Sequence, residues 1–255
     1  MPDSYIICAT PRTGSTLLCD LLTATGAAGR PDSFFMREVD PVWRRQWGLP
    51  ARGDLGEADY AAAYLEAAIR AGTGGTGVFG LRLMRESLDG LLALIGEVHP
   101  GLPPGRARLE AAFGDILYIH LAREDKLAQA VPMVKAEQTG LWHVAPDGTE
   151  LERLAPPRPP EYDFERIAAR LAELERHDAA WRTWFREQGI EPLGVGYESL
   201  SADPAAVLAG VCDALGVPAP APQTVRPGVA RLSDAVSADW MERYRRDLGT
   251  APSRR

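Results

Sequence analysis

The stretch Tyr5-Ile-Ile-Cys-Ala-Thr-Pro-Arg-Thr-Gly-Ser-Thr-Leu-Leu18 constrains the fold more than any other part of the chain. Tyr5 to Ala9 is a short apolar run, rich in β-branched residues, as a buried strand requires. A turn follows at Pro11-Arg12-Thr13-Gly14, and an apolar-periodic segment starts at Ser15-Thr16-Leu17-Leu18. A strand that turns directly into a helix aims several backbone N–H groups and the positive end of the helix dipole at one point. Such a point suits a phosphate or another tetrahedral anion. Arg12 adds a fixed charge with planar donors, and the Ser15 and Thr16 hydroxyls add two more donors. The same pattern also fits an ordinary βα turn leading into a capped helix. It is neither a Gly-x-x-x-x-Gly-Lys-Ser/Thr loop nor a Gly-x-Gly-x-x-Gly loop, since no lysine follows Gly14 and the glycine spacing is wrong.

At 255 residues, with a hydrophobic fraction of 45%, the chain is long and apolar enough for one large α/β domain over residues 1–255 with helical insertions. No run of eighteen apolar residues predicts a transmembrane helix, and with Asp3 just ahead of the first strand no signal peptide is expected. Cys8, Cys19 and Cys212 lack metal-ligand spacing and read as buried thiols in a reducing, cytoplasmic setting. His99, His120, His143 and His177 are far apart and likewise give no metal site. A net charge of −7 argues against general nucleic-acid binding, so an anionic ligand must depend on local positive groups.

Helices are predicted at about Ser15–Thr25, Val39–Trp47, Glu57–Arg70 and Ser87–Val98, and strands at Val78–Met84 and Asp115–Ala122. The last of these is apolar almost throughout, as a central parallel strand should be. Arg123 to Val131 reads as a helix that Pro132 kinks, its apolar face continuing through Val134, Gln138 and Leu141. Ala155 to Glu161 is a proline-stiffened linker, and Asp163 caps a long helix carrying Trp181 and Trp184. A strand at Leu193–Tyr197, a helix ending at Leu215, a proline-rich loop over Pro218–Gly228 and a helix from Ser237 complete the chain. Strands alternating with helices predict a parallel sheet with crossovers. Phe34 and Phe35, in the loop after the first helix, either complete the core, the plainer expectation, or line a pocket.

Three stretches together resemble the sulfotransferases that use 3′-phosphoadenosine 5′-phosphosulfate (PAPS). They are Pro11-Arg-Thr-Gly-Ser-Thr16, the strand leading to Arg123, and Tyr197-Glu-Ser-Leu-Ser-Ala-Asp-Pro204. Four more are similar to the bacterial trehalose 2-sulfotransferase family, which includes nodulation-factor and lipopolysaccharide-type enzymes. These are Ala24–Phe35, Phe79–Met84, the Gln129-Ala-Val and Ala136–Trp142 pair, and Ser237–Asp247. The resemblance implies a P-loop-like three-layer sandwich with a central parallel sheet. It implies a 5′-phosphosulfate loop on Pro11, Arg12, Thr13, Gly14, Ser15 and Thr16, and a 3′-phosphate site at Arg123. It implies PAPS as co-substrate without a metal, a sugar, glycolipid or other small acceptor that Phe34 and Phe35 would contact, and the homodimers some members form, for which Trp43, Trp47 and Trp184 would suit an interface.

The chain departs from that family where chemistry is at stake. The family places its base, a glutamate, immediately before the Phe-Phe pair, and here that residue is Ser33. A serine takes no proton at neutral pH without a base of its own. Asp32 is the candidate substitute, with Glu38 close by, although Asp32 equally suits a turn cap. Pro132 replaces a serine of the 3′-phosphate site, Arg82 a lysine, and Arg85 an aromatic. These departures leave a catalytically impaired nucleotide-binding homologue as the alternative reading. A phosphotransferase is disfavoured by the missing lysine and Mg²⁺ carboxylate.

Overall fold

A computed structural model of the chain describes residues 1–36, 40–145, 147–226 and 234–250. Among them are sixteen helices and strands in the order β1 (Ser4–Ala9), α1 (Ser15–Ala24), α2 (Asp40–Gln46), α3 (Glu57–Thr73), β2 (Phe79–Met84), α4 (Leu88–Val98), α5 (Arg106–Phe113), β3 (Ile116–Ala122), α6 (Lys126–Thr139), β4 (Leu141–Val144), β5 (Glu150–Arg153), α7 (Phe164–Glu187), β6 (Leu193–Gly196), α8 (Tyr197–Ala202), α9 (Pro204–Leu215) and α10 (Ala235–Thr250). The main sheet has the order β2-β1-β3-β6, with every pairing parallel. From β1 the chain crosses to β2 on one side, whereas β3 flanks β1 on the other. The carboxyl ends of β1 and β3 therefore form the switch-point crevice where open α/β sheets take ligands.

The two faces of β1 explain the three layers. Ile6 and Cys8 face a core built with Leu81 and Leu83 of β2, Leu65 of α3, Leu91 and Ile95 of α4, Phe113 of α5 and Trp181 of α7. Tyr5, Ile7 and Ala9 face the opposite core, built with Leu18 and Leu22 of α1, Ile119 and Leu121 of β3, and Leu208 and Leu215 of α9. A strand buried on both faces reads as a near-continuous apolar run, and in Ser4 to Ala9, all buried, only Ser4 is polar. A third cluster joins Val131 and Val134 of α6 to Ile167 of α7 and to Trp240 and Tyr244 of α10. The P-loop-like α/β sandwich expected from the sequence is the observed fold. The three cysteines are free and buried. No helix among the described residues is long and apolar enough to cross a membrane.

Several elements differ from expectation. Helix α6 begins at Lys126 rather than Arg123, because the Asp125 carboxylate accepts from the Ala128 amide at 2.8 Å and caps it there. It runs through Pro132 as a single helix and stops at Gly140, whose φ of 74° lets its N–H return to the Ala136 carbonyl at 2.8 Å. Leu141 therefore belongs to a strand and not to the helix face. The antiparallel β4–β5 pair and the short helices α5 and α8 were not expected. Trp184 is 7% exposed and packs with Trp181 and Phe185, so it serves the core and not an interface. Val39, Glu38 and the end of the proline-rich loop at 227–228 lie outside the described residues.

Trp181 is fully buried, and its indole N–H donates 2.9 Å to the Ala9 carbonyl, the last of β1. Trp181→Phe leaves that carbonyl without its donor and opens space beside it, and is expected to lower stability by about 2–4 kcal/mol in urea unfolding.

Candidate active site

Four strand ends converge on one cavity of about 940 Å³, at the upper end of the range for small-molecule sites. The loop after β1 supplies Pro11, Arg12, Gly14, Ser15 and Thr16, while Thr13 is buried with its hydroxyl on the Thr10 carbonyl; β2 supplies Arg82 and Met84, the end of β3 supplies Arg123, and the end of β6 supplies Tyr197. The hairpin closes it from the side with Trp142, His143 and Glu152.

The loop has an unusual backbone. Among the described residues Arg12 is the one non-glycine residue with positive φ, 66°, and Gly14 follows at 83°. Paired turns of this kind concentrate N–H groups on one side and form an anion-binding concavity. The first intrahelical bond of α1 is Leu18 N–H to the Gly14 carbonyl at 3.1 Å, so the amides of Ser15 to Leu17 have no acceptor within the helix. No side chain caps this end and no acid stands in its first turn. The end of the helix is thus left positive, towards the cavity.

Arg12, Arg82 and Arg123 stand around it, with Arg226 also on the cavity wall. Arg12 donates to the Trp142 carbonyl at 2.7 Å, which points it along the hairpin. Arg123 stacks over the Tyr197 ring, 4.2 Å from its centre, and its buried Nε has no partner. Burial lowers the pKa of both Arg12 and Arg123 from the usual value, and the charge of Arg123 lowers that of Arg12 further. Both remain charged, because no physiological pH removes a proton from arginine. Two desolvated like charges and an unpartnered buried donor on Arg123 suit an anionic ligand. Arg82 donates 2.8 Å to Thr16 Oγ1, 2.8 Å to Ser33 Oγ and 3.2 Å to Asp32 Oδ1. The Thr16 and Ser33 oxygens accept from arginine, so their own protons are free to donate.

The remaining candidates fall outside this cavity. Phe34 is 2% exposed and packs on Trp43 and Phe79, and Phe35 packs on Tyr64 and Phe113. Phe34 completes the core beneath the site and Phe35 packs partly buried against it, and neither lines the cavity. Asp32 faces a smaller recess beside the main cavity. Its carboxylate accepts from the Ser33 amide at 2.7 Å and pairs with Arg82, the contacts of a turn cap.

What the sequence reading missed is the hairpin. His143 Nε2 lies 3.4 Å from Thr16 Oγ1 and 3.3 Å from Glu152 Oε2. Burial, then the charges of Arg12 and Arg82, push His143 down to about 4, so it is neutral at pH 7. The Asp147-Gly148 turn between two short runs was the signal that could have located it. Among the described residues no group of His, Cys, Asp and Glu is placed to hold a metal.

Gly14 is demanded twice. Its φ is positive, and a Cβ there would lie 2.7 Å from the Tyr197 ring. Gly14→Ala is expected to cost at least about 1 kcal/mol and to displace Tyr197 from beneath Arg123. Gly194→Ala on β6, with nothing within 4 Å of the added carbon, is the near-neutral control. Urea unfolding of the two variants checks the difference.

A strand-loop-helix anion site with an arginine-lined crevice is shared by many transferases, and the whole chain narrows the choice. The family model described as Stf0 sulphotransferase matches residues 4–247. The chain is 30% identical over 273 aligned positions to a trehalose 2-sulfotransferase of Mycolicibacterium smegmatis, covering 96% of each protein. It is 32% identical over 265 positions to the trehalose 2-sulfotransferase of Mycobacterium tuberculosis, covering 94% of each. Among solved structures, the sulfotransferase domain from the curacin biosynthetic pathway aligns over 98% of both chains with a TM-score of 0.48 and 16% identity. With a family match across nearly its full length, the chain belongs to the Stf0 sulphotransferases.

Proposed function

We propose that this sulfotransferase, acting as one domain, takes its sulfuryl group from PAPS and passes it to a hydroxyl of a small sugar, a glycolipid or a related metabolite. The observation that carries the reading is the loop after β1, with unpaired amides at the start of α1 and arginines on both sides. Sugar acceptors are suggested by the two trehalose 2-sulfotransferases that the chain resembles along its length.

The residues fit the donor. The amides of the Pro11–Thr16 loop and Arg12 would hold the 5′-phosphosulfate, and Arg123, with its unpartnered Nε, would meet the 3′-phosphate. Sulfuryl transfer is similar to phosphoryl transfer, with a loose in-line transition state in which positioning and charge stabilisation dominate. As the acceptor oxygen bonds to sulfur, the bridging S–O bond breaks and negative charge collects on the departing 5′-phosphate. Arg12 and the end of α1 are placed to stabilise that charge. Ser33 holds its oxygen towards Arg82 and works as a donor rather than a base.

Isothermal titration with 3′-phosphoadenosine 5′-phosphate (PAP), followed by transfer from labelled PAPS to a panel of sugars including trehalose, tests this. PAP binding with transfer supports the whole reading. PAP binding without transfer to any hydroxyl favours the binding-only homologue that Ser33 suggests, and indifference to PAP overturns the reading. Arg12→Ala is expected to weaken PAP by about 10- to 100-fold, the loss of charge-assisted hydrogen bonds.

A further inference from the structure

We propose that His143, oriented by Glu152, is the base that takes the proton from the acceptor hydroxyl, replacing the carboxylate that Ser33 does not provide. The proposal rests on the sulfuryl-donor reading of the loop.

The geometry carries it. His143 lies on β4 and Glu152 on β5, and both side chains line the main cavity. The register pairs them directly across the hairpin, so one short element presents both. Nε2 of His143 stands 3.4 Å from Thr16 Oγ1, a hydroxyl of the sulfuryl loop itself. Thr16 Oγ1 accepts from Arg82, which leaves its proton available to the imidazole. In the Nδ1–H tautomer of the neutral ring, Nε2 presents its lone pair beside the loop. Its distance of 3.3 Å to Glu152 is ready to become a charge-assisted hydrogen bond once Nε2 is protonated. The other carboxylate on the cavity wall, Glu86, is turned to His177 at 3.5 Å, and Asp32 is committed to Arg82 and the Ser33 amide.

The step balances. An electron pair of the acceptor oxygen forms the new S–O bond while its proton passes to Nε2. The S–O bond to the donor breaks, and its electron pair leaves on the 5′-phosphate of PAP. The imidazolium is then countered by Glu152 and returns its proton to water.

The charges around His143 make the base conditional on the donor. Facing it are Arg12 from the loop, Arg82 from β2, Glu152 from β5, and Asp20 and Asp32 across the smaller recess. Burial and the two arginines hold the ring down at about 4 when no anion is present. A polyanion seated between the arginines offsets their charge, and the ring moves back up towards its ordinary value of about 6.5. The site thus becomes a stronger base when the sulfuryl donor is in place.

Two measurements on the full chain decide the matter. Ring-proton NMR, with His143 assigned by His143→Gln, is expected to show a pKa near 4 that rises by at least about one unit when PAP saturates the protein. His143→Gln is expected to bind PAP within about threefold of the parent by calorimetry, yet to lose about 10²- to 10⁴-fold in transfer from PAPS to trehalose. Glu152→Gln should lose less and blunt the upward shift. A ring pKa indifferent to PAP overturns the proposal, as does a His143→Gln protein that transfers sulfate within about threefold of the parent. If the parent itself binds no PAP, the donor reading fails and takes the proposal with it. If trehalose accepts nothing, the ring titration alone decides.

Discussion

The turn between β1 and α1 is held by its carbonyls, and every other property of the site follows from that. The Ala9 carbonyl accepts from the Trp181 indole, Thr10 from the Thr13 hydroxyl, Pro11 from the Gln129 amide and Arg12 from Arg123. Four consecutive oxygens are thus drawn back into the scaffold by three different elements and the loop itself. A peptide group has two ends, and fixing the oxygens on one side leaves N–H groups on the other. The strained φ of Arg12, of order 1–3 kcal/mol for a residue of this kind, persists because these bonds over-determine the turn. The concavity therefore exists before any ligand arrives, as an oxyanion site must if it is not to reorganise during reaction.

The protein as a whole is acidic, so the anion site proposed for the loop would depend on local arrangement. Arg12, Arg82 and Arg123 stand on three separate strand ends and meet only in the fold. Their mutual repulsion is not relieved evenly. Arg82 has Asp32 at 3.2 Å, whereas the pKa of Arg12 is lowered by its burial and by Arg123. The unrelieved part of the charge thus lies at the loop, and Arg82 is left to orient hydroxyls. Its bonds to Thr16 and Ser33 turn two serine-type oxygens into donors towards the cavity, a role that a lysine, with its single rotating ammonium, could not fill at both positions while also pairing with Asp32.

How much of this was legible follows from where the information lies. The strand ends could be read because the strands are mostly apolar runs: Tyr5–Ala9 is buried throughout, and Ile116–Ala122 is broken only by His120. The loop could be read because strand, turn and helix start are adjacent in sequence. Phe34 and Phe35 posed a choice that only packing decides, and Trp43, Trp47 and Phe79 closing around Phe34 decide it for the core. Apart from its Asp147-Gly148 turn, the hairpin was hard to read for the opposite reason. Its strands have four residues each, β5 is mostly exposed, and Glu150-Leu-Glu-Arg153 buries no apolar face that a period could reveal. His143 and Glu152 looked like unrelated surface residues until the register placed them together.

The same helix explains why a hairpin can contribute to chemistry here without losing precision. Gln129 of α6 grips the loop through Thr10 Oγ1 and the Pro11 carbonyl, and the hairpin leaves the end of that helix one residue after its Gly140 stop. Arg153 of β5 donates back to the Thr139 carbonyl at 2.7 Å, and the Leu154 amide to Gly140 at 2.7 Å, so both strands are tied to the end of α6. Arg12 then reaches across to the Trp142 carbonyl, the residue beside His143. The arginine that meets the anion and the imidazole that would take the proton are therefore separated by one peptide unit and one hydrogen bond. Any shift of Arg12 as it closes on a donor must be felt at β4. An element with little packing of its own is in this way fixed by the loop it serves, and the position of the base is set by the same contacts that set the anion site.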